Sequence, residues 1–420
     1  MKRFVILLMA IILFVSLSLA GTYSGGDGTS GNPYQISTAN DLSELFGNSA
    51  DWAAGIYFIQ TADITMLSGW TAIGSSGTNF RGNYDGQGYK VSGVAINNTG
   101  LDYQGFFGYT NEAAIQNLGV DVSLNVKSVS GGLIGYSQNT TVANCYSEGS
   151  VTCYYGSAGG LIGRVNGGTV TGCYSTASVR AANGPSGGSY CGGLISSTDM
   201  AASTVSNCYH TGGNVQGADY VGGVIGALMH GTMSGCYSTG TVLGSSQTGG
   251  LVGNNGAAIN NCYSHAVANC GNVAGGFVGS NTGGGTITNS YSTGNPGATT
   301  NEGGFAGQNS GTISDCFWDI TTSGSETSAG GTGKTTTEMK TLTTFTGAGW
   351  DFEVETSNGT NDYWDMDNSQ SINSGYPFLS WENGAEVALP ITLASFDAVY
   401  ANGAVFVTWV TESESENAAF

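Results

Sequence analysis

The sequence predicts an all-β fold, a right-handed parallel β-helix in which short coils stack into a rod. Two phrases, Gly-Gly-Leu-Ile-Gly and Asn-Cys-Tyr-Ser, return again and again along the chain. The composition of 71 glycines with 40% hydrophobic residues fits many short strands joined by tight turns. Helical repeats are excluded because each glycine in a helix interior costs about 1 kcal/mol, and no stretch shows a sustained 3.6-residue apolar period.

The first phrase sets the length of the repeat. Its second glycines are separated by 27, 28, 33, 30, 27, 26 and 28 residues. A near-constant period of this size is typical of solenoids, in which each unit rests on its neighbours. The glycines from which this spacing is counted are Gly105, Gly132, Gly160, Gly193, Gly223, Gly250, Gly276 and Gly304.

The second phrase reads as a strand that follows a corner. Cys145, Ser147 and Val151 share one parity and Tyr146 has the other, as alternation on a strand requires. Val142 has the wrong parity to point inward with Cys145 on a continuous strand, so we expect the chain to bend at position 143 or 144. With the Gly-Leu-Ile segment as a third side, one repeat closes one coil, and the crossover rule predicts a right hand.

The remaining segments divide the chain into five parts. We expect a signal peptide (1–20), an N-terminal cap with the first irregular coils (21–104), the repeats (105–320), a C-terminal cap and loop segment (321–388), and the truncated start of an Ig- or fibronectin-like β-sandwich (389–420). Residues 38–46 read as a short capped helix and a lid at the amino end, and residues 337–342 as another short helix. Asn402-Gly403 predicts a hairpin turn.

The first twenty residues predict export. Lys2 and Arg3 precede an apolar run from Phe4 to Val15, and Ala20 ends a small-x-small cleavage pattern. A membrane anchor is the alternative, but the run is shorter than the roughly 20 residues that a span needs. We therefore expect a secreted protein, extracellular or on the outer cell surface, with no membrane insertion after cleavage.

Charge excludes one class of partner. The chain has 9 basic and 29 acidic residues and a formal net charge of −20. A phosphate backbone would be repelled, so we expect no nucleic-acid partner.

The two phrases resemble the GLUG motif of bacterial exported repeat proteins. The likeness runs from about Gly21 to Trp381 and includes the segments 31–36, 80–86, 330–335 and 375–379. It implies a β-helix that belongs to an adhesin-like surface protein or lies beside the catalytic part of a metalloprotease that cuts immunoglobulin A. The tail from Leu389 resembles the module that precedes the sorting signal of type IX secretion cargo.

Few residues of the chain are suited to catalysis. His210, His230 and His265 do not form a His-Glu-x-x-His zinc motif, and we expect them to be solvated. Residues 328–335 mimic a phosphate-binding loop but lack its first glycine. Glycoside hydrolysis needs paired carboxylates, and acids are sparse between residues 131 and 311. We therefore expect no enzyme activity and no catalytic residues, with a carbohydrate-active β-helix enzyme or the accessory region of a larger exported metalloprotease as alternatives.

One group of acids is a weak calcium candidate. Asp362, Asp365 and Asp367 form the densest carboxylate cluster, and Ca²⁺ binds several oxygens on one loop. The segment lacks the glycine and distal glutamate of a calcium loop, which favours solvated acids. We expect no other metal or cofactor.

Six cysteines occupy one position of the repeat. A column of buried thiols is the expected reading, and disulfides are the alternative. Cys153, Cys191 and Cys270 lie elsewhere. The six are Cys145, Cys173, Cys208, Cys236, Cys262 and Cys316.

The aromatic residue after each of these positions gives the candidate binding site. If the cysteines point inward, the aromatic rings stand outward at about 4.8 Å spacing and stack. Stacking stabilises the coil, and an exposed strip would also bind an extracellular glycan or a surface protein. We call the following seven residues the tyrosine file: Tyr146, Tyr174, Tyr209, Tyr237, Tyr263, Tyr291 and Phe317.

Overall fold

The computed structural model describes residues 23–382 except 68, 183–188, 354, 368 and 370, and the backbone of 393–401 and 404–411. It is a parallel β-solenoid of about ten turns with 49% strand and 9% helix, which confirms the predicted fold class. The hand of the coil stays a prediction. The predicted signal peptide lies outside the described residues.

Sheet 1 contains the strand that starts within the Gly-Leu-Ile phrase and the strand that precedes the cysteine. All its pairings are parallel and join one coil to the next. In the described residues its strands are Tyr34–Ile36, Tyr57–Gln60, Asn83–Asp85, Phe107–Asn111, Ala114–Gln116, Ile134–Ala143, Ile162–Thr171, Ile195–Thr198, Ser203–Ser206, Ile225–Leu228, Gly231–Ser234, Val252–Asn255, Ala258–Asn260, Val278–Asn281, Thr286–Thr288, Ala306–Asn309 and Thr312–Ser314.

Sheet 2 begins after the cysteine corner and carries the tyrosine file. In the described residues its strands are Ile64–Thr65, Lys90–Asp102, Gly119–Ser128, Tyr146–Cys153, Tyr174–Ser175, Ser178–Ala181, Tyr209–His210, Asn214–Gln216, Tyr237–Ser238, Thr241–Gly244, Tyr263–Ser264, Val267–Cys270, Tyr291–Ser292, Pro296–Gly297, Phe317–Asp319 and Thr332–Lys334.

Sheet 3 is the short side that ends at the glycine pair. In the described residues its strands are Ser130–Gly131, Ala158–Gly159, Tyr190–Gly192, Tyr220–Gly222, Gln247–Gly249, Val273–Gly275 and Asn301–Gly303.

Glycine is required at the pair because two backbones approach closely there. A Cβ on Gly160 would lie 2.0 Å from the carbonyl oxygen of Gly193 in the next coil, and one on Gly159 would lie 1.9 Å from that of Ile162. Real Cβ atoms do not come this close to backbone, so the corner excludes every other residue. The apolar residue after each pair fills the centre of the rod and is fully buried: Leu133, Leu161, Leu194, Val224, Leu251, Phe277 and Phe305.

The predicted bend before the cysteine is present at residue 144. Asn144 has φ +53°, in the left-handed region, where asparagine is the most tolerant residue after glycine. The same corner in the other coils has φ between +46° and +61° and is formed by Gly172, Asn207, Gly235, Asn261, Asn289 and Asp315.

The amino end is covered by a short helix, as predicted. Helix α1 (Ala39–Gly47) starts at Thr38, whose hydroxyl accepts from the backbone N–H of Asp41, while the Asp41 carboxylate accepts from that of Thr38. Leu42 and Leu45 are fully buried in the main hydrophobic core of the solenoid.

The solenoid continues by one strand beyond the predicted repeats. Thr332–Lys334 pairs in parallel with Phe317–Asp319 and adds a further rung, although its sequence lacks both phrases. The segment 328–335 that mimics a phosphate-binding loop therefore includes a strand whose backbone is occupied by sheet pairing.

The C-terminal segment contains short helices and a small antiparallel sheet. Helices α2 (Ile320–Ser323), α3 (Thr336–Met339) and α4 (Leu342–Thr346) follow the last full coil, and the predicted helix at 337–342 corresponds to α3 with the start of α4. The strands Trp364–Asp365 and Phe378–Leu379 pair with each other. A 3₁₀ turn lies at Asn373–Gly375 in this segment, and another follows helix α1 at Ser49–Trp52.

The end of the chain forms the predicted hairpin. Strands Leu393–Ala401 and Ala404–Thr411 are antiparallel, with Ala401 opposite Ala404 across two residues. Residues 383–392, 402–403 and 412–420 lie outside the described part, so the Asn402-Gly403 turn and the sandwich stay predictions.

Candidate binding surface along the tyrosine file

The tyrosine file is a continuous stack of rings on the outer face of sheet 2. Neighbouring rings from Tyr146 to Tyr291 have centroids 4.8–5.2 Å apart and planes within 6° of parallel. This separation equals the rung spacing of a parallel sheet, because each ring rests on the equivalent ring of the next coil. Phe317 continues the register opposite Tyr291.

A buried serine column lies beneath the file and connects the two phrases. The hydroxyls of Ser147, Ser238 and Ser292 donate to the carbonyls of Gly160, Gly250 and Gly304, at 2.7–2.8 Å. Each acceptor belongs to the glycine pair that follows 12 or 13 residues later in the chain. The serine therefore fastens the tyrosine strand to the glycine corner, which explains why the two phrases recur together.

The cysteine column is buried as predicted. The six repeat cysteines are at most 2% exposed, and all nine cysteines of the chain are free thiols. The backbone N–H of Cys145 donates to the sulfur of Cys173 at 3.4 Å, and that of Cys173 donates to the sulfur of Cys208 in the same way. Burial raises the pKa of Cys316 and Cys191 far above the ordinary thiol value.

The carboxyl half of the file is covered, contrary to the expectation of a fully exposed strip. Tyr263, Tyr291 and Phe317 are 2%, 0% and 7% exposed. The C-terminal segment folds back over them because it carries many aromatic side chains that need burial. We call these buried residues the C-terminal cover: Met339, Phe345, Trp350, Phe352, Trp364, Tyr376 and Leu379.

Polar contacts fix the cover in place. The Tyr291 hydroxyl donates to the carbonyl of Pro377 at 2.6 Å and accepts from the side-chain amide of Asn373 at 2.9 Å. The Tyr263 hydroxyl donates to the Glu382 carboxylate at 3.0 Å. Burial raises the pKa of Glu382 to about 7, against the effect of the Leu379 N–H and the Tyr263 hydroxyl, which lower it.

One histidine joins the file to the cover, where we expected a solvated side chain. His265 donates through Nε2 to the Asn373 side-chain oxygen at 2.7 Å, and burial lowers its pKa to about 4. His210 also differs from expectation, because it takes the place of a serine in the buried column and donates to the Gly213 carbonyl at 3.1 Å. Of the three histidines, His230 is the exposed one.

The amino half of the file is half-exposed and turns ring edges outward. Each ring between two others has a neighbour on both faces, and a centroid spacing near 4.9 Å leaves no room for a further ring between them. A sugar that stacks on aromatic faces has no face to use on these interior rings. The binding of a glycan or a protein at the file stays a prediction, and the interior rings offer ring edges and phenolic hydroxyls.

Trp381 is the residue that the sequence reading missed and that shows how the strip is contacted. Its ring lies 6.1 Å from that of Tyr209 and 6.0 Å from that of Tyr237, and its Nε1–H donates to the Gly235 carbonyl at 3.1 Å. The aromatic content of residues 345–381 was the available signal for a segment that docks on other aromatics.

The weak calcium candidate is not assembled. Asp367 accepts hydrogen bonds from the Ser369 hydroxyl, the Ile372 N–H and the Ser371 hydroxyl, which hold its pKa far below the usual range. Asp365 accepts from the N–H of Met366, and Asp362 stands at φ +49°. Within the part of the chain that the structure describes, no three His, Cys, Asp or Glu side chains are grouped to hold a metal ion.

Comparison with known proteins supports the repeat assignment. Residues 128–152 and 217–243 match the family model of the GLUG motif. A candidate Gly-rich membrane protein of Evansella cellulosilytica is 31% identical over 115 residues, which are 26% of this chain and 13% of that protein. Halomucin of Haloquadratum walsbyi is 30% identical over 152 residues, 32% of this chain and 2% of that protein. The chain thus spans a small fraction of the length of both relatives.

A solved structure gives a distant match. The crystal structure of a candidate immunoglobulin A1 protease from Bacteroides ovatus aligns over 86% of this chain and 95% of that chain, with 21% identity and a TM-score of 0.46. At that level the match says nothing about activity. In the described residues no helix is long and apolar enough to cross a membrane. The family matches agree with the repeated phrases, and the chain is a parallel β-solenoid that carries the GLUG motif.

Proposed function

We propose that this chain is an exported or surface-displayed adhesion module that binds a partner protein through the open end of the tyrosine file. The signal-like first twenty residues and the names of the relatives, a membrane protein and Halomucin, support display outside the cytoplasm. The absence of enzyme activity stays a prediction.

One observation carries the proposal: the place where Trp381 sits has a copy that, among the described residues, no aromatic ring from outside the file contacts. Trp381 lies beside Tyr209 and Tyr237 and donates to the corner carbonyl of Gly235. We call Tyr209, Tyr237 and Gly235 the occupied copy.

Two coils toward the amino end, Tyr146, Tyr174 and Gly172 repeat the arrangement, and we call them the open copy. The two tyrosine rings are 4.9 Å apart in the open copy and 4.8 Å apart in the occupied copy. The corner glycines, Gly172 and Gly235, have φ +61° and +59°. The asparagine of the preceding corner is also placed alike. A Cβ on Gly172 would lie 2.4 Å from Asn144 Oδ1, and a Cβ on Gly235 would lie 2.5 Å from Asn207 Oδ1. The two surfaces are therefore equivalent in shape and hydrogen bonding.

The equivalence supports a partner whose contacting group resembles Trp381. An indole or similar aromatic side chain with an N–H donor fits the open copy, since ring edges, a hydrophobic flank and a carbonyl acceptor are what Trp381 uses. A surface protein with an exposed tryptophan is such a partner. The few basic residues of this chain disfavour an anionic one.

The test uses a peptide with the chain's own sequence, residues 375–382, as the probe. We expect the peptide to bind the full chain weakly, and binding to fall at least tenfold in Tyr174→Ala and in a peptide with Trp381 replaced by alanine. Tyr220→Ala, in sheet 3, is the matched control and should leave binding unchanged. Unaltered binding by a correctly folded Tyr174→Ala protein, or no binding to the wild type, would refute the proposal.

Export is tested separately. Fusion of residues 1–25 to a reporter should send the reporter out of the cytoplasm in a bacterial host, and exchange of the apolar run for a polar one should retain it. Cytoplasmic retention of the unaltered fusion would contradict surface display.

A further inference from the structure

A polar cluster lies away from the tyrosine file, in a groove between sheets 1 and 3. It lines a cavity of about 250 Å³ that includes Arg164, Asp199, Tyr190, Met200 and Met229. Arg164 lies on sheet 1 and Tyr190 on sheet 3, while Asp199 directly follows the strand Ile195–Thr198. Charges are rare in this region: Arg164 and Asp199 are two of the six charged residues between positions 131 and 311.

The charged pair is not satisfied by its own contacts. Arg164 Nη1 is 3.9 Å from Asp199 Oδ2, longer than a hydrogen bond, and the side chains are 27% and 33% exposed. The same Oδ2 accepts from the Tyr136 hydroxyl at 3.1 Å. Arg164 Nε is buried with no partner among the described residues. An ion pair of this length adds little to stability, so the exposed N–H groups of the guanidinium and the exposed carboxylate oxygens are available to a ligand, whereas the buried Nε is not.

The chemistry of the groove favours a neutral sugar. A carboxylate accepts from sugar hydroxyls and a guanidinium donates to them, so the pair together can bind adjacent hydroxyls of one ring. Tyr190 stacks on Tyr220 at 5.4 Å and is the first ring of that short stack, so one of its faces carries no further tyrosine. Met200 and Met229, which are 85% and 44% exposed, supply apolar surface for the C–H groups of the ring.

An anionic ligand fits less well. The Asp199 carboxylate lies within 4 Å of the guanidinium and cancels its charge, so that a second anion would meet repulsion at the same distance. The formal net charge of −20 acts in the same direction.

Sheet 1 joins this cluster to a second cavity further along the rod. In sheet 1, the residues in register with Arg164 in the following coils are small or polar: Ser197, Ala227, Asn254, Ser280 and Gln308. A second cavity of about 440 Å³ lies at Ser280, Gln308 and Asn301, the last from sheet 3. Five rung steps, about 24 Å, separate the two cavities, a distance that a chain of several sugar residues can span.

We propose that this groove binds a neutral polysaccharide chain, one residue of which takes its hydroxyl contacts from Asp199 and Arg164. The site is separate from the tyrosine file, which lies on sheet 2. A chain long enough to reach both cavities should bind more tightly than a disaccharide.

The test uses the full chain with laminarihexaose, mannohexaose and xylohexaose as neutral probes and polygalacturonate as the acidic one, measured by isothermal titration calorimetry. We expect at least one neutral hexamer to bind, its disaccharide to bind at least tenfold more weakly, and Asp199→Asn and Arg164→Gln each to weaken the hexamer at least tenfold. Arg180→Gln, an exposed position on sheet 2, is the matched control and should bind as the wild type does. Circular dichroism and the urea midpoint establish that each variant is folded.

Three results would overturn the proposal. They are no binding of any neutral hexamer, equal binding by both groove variants and the wild type, and binding of polygalacturonate alone that depends on Arg164. If Arg164→Gln does not fold, Asp199→Asn and Tyr190→Ala decide the question.

Discussion

The two halves of the tyrosine file carry the same motif but differ in what covers them. In the amino half, Tyr146 and Tyr174 are half-exposed; in the carboxyl half, Tyr263 and Tyr291 are buried beneath the C-terminal cover. Ring spacing and tilt are nearly the same in both. The repeat therefore determines the stack, whereas a segment outside the repeat determines which part of the stack can meet a partner.

The largest difference between the halves is expected in stability. Tyr291→Ala removes a fully buried ring and its hydrogen bonds to Pro377 and Asn373, and we expect a loss of about 3–5 kcal/mol in the free energy of unfolding. Urea titration followed by tryptophan fluorescence reports this, because Trp350 and Trp364 lie in the cover. A loss below about 1 kcal/mol would mean that the cover is not packed on the file.

The same change in the open half should cost less. Tyr174→Ala removes two ring contacts of 4.9 Å each, with Tyr146 and Tyr209, from a half-exposed position. At about 0.5–1.5 kcal/mol for each aromatic pair, we expect a loss of about 1–3 kcal/mol. The urea midpoint of this variant beside that of Tyr291→Ala measures the contribution of the cover, and equal losses would show that the two halves do not differ energetically.

These two environments could be predicted only in part from the sequence. The repeat period, the corner at Asn144 and the stacked file follow from local rules, namely alternation on a strand and the tolerance of asparagine for positive φ. Which rings are covered depends on Trp364 and Tyr376, which lie roughly 100 residues further along the chain and belong to no repeat. The groove pair was equally hidden, because Arg164 and Asp199 come from neighbouring coils that differ in length and so do not occupy equivalent positions of the repeat.

Acidity should affect the covered half selectively. Burial raises the pKa of Glu382 to about 7 from 4.5, so the folded state binds this proton more tightly than the unfolded state. The contribution is fully present below pH 4.5 and is lost as pH rises to about 7. His265 acts in the opposite direction, since its lowered pKa of about 4 costs stability as pH falls below 6.5.

Glu382→Gln isolates the first effect. We expect the variant to gain stability relative to the wild type as pH rises from 5 to 8, in urea titrations at matched ionic strength. Because His265 is present in both proteins, it cancels in the difference. A difference that stays constant over this range would contradict the buried, protonated carboxyl group.

The thiol reactivity of the cysteine column should be the same beneath both halves of the file, which makes it the internal control. Cys145 and Cys173 lie beneath the open half and Cys262 and Cys316 beneath the covered half, and all are at most 2% exposed. Since a buried thiol is out of reach of the reagent, we expect Ellman's reagent to leave all four unmodified in the native protein. Cys270, which is partly exposed, is the one thiol of the described residues that should react before unfolding. Faster reaction at Cys145 than at Cys262, measured by mass spectrometry after a timed pulse, would show that the open half also loosens the coil beneath it, and the two halves would then differ in dynamics as well as in cover.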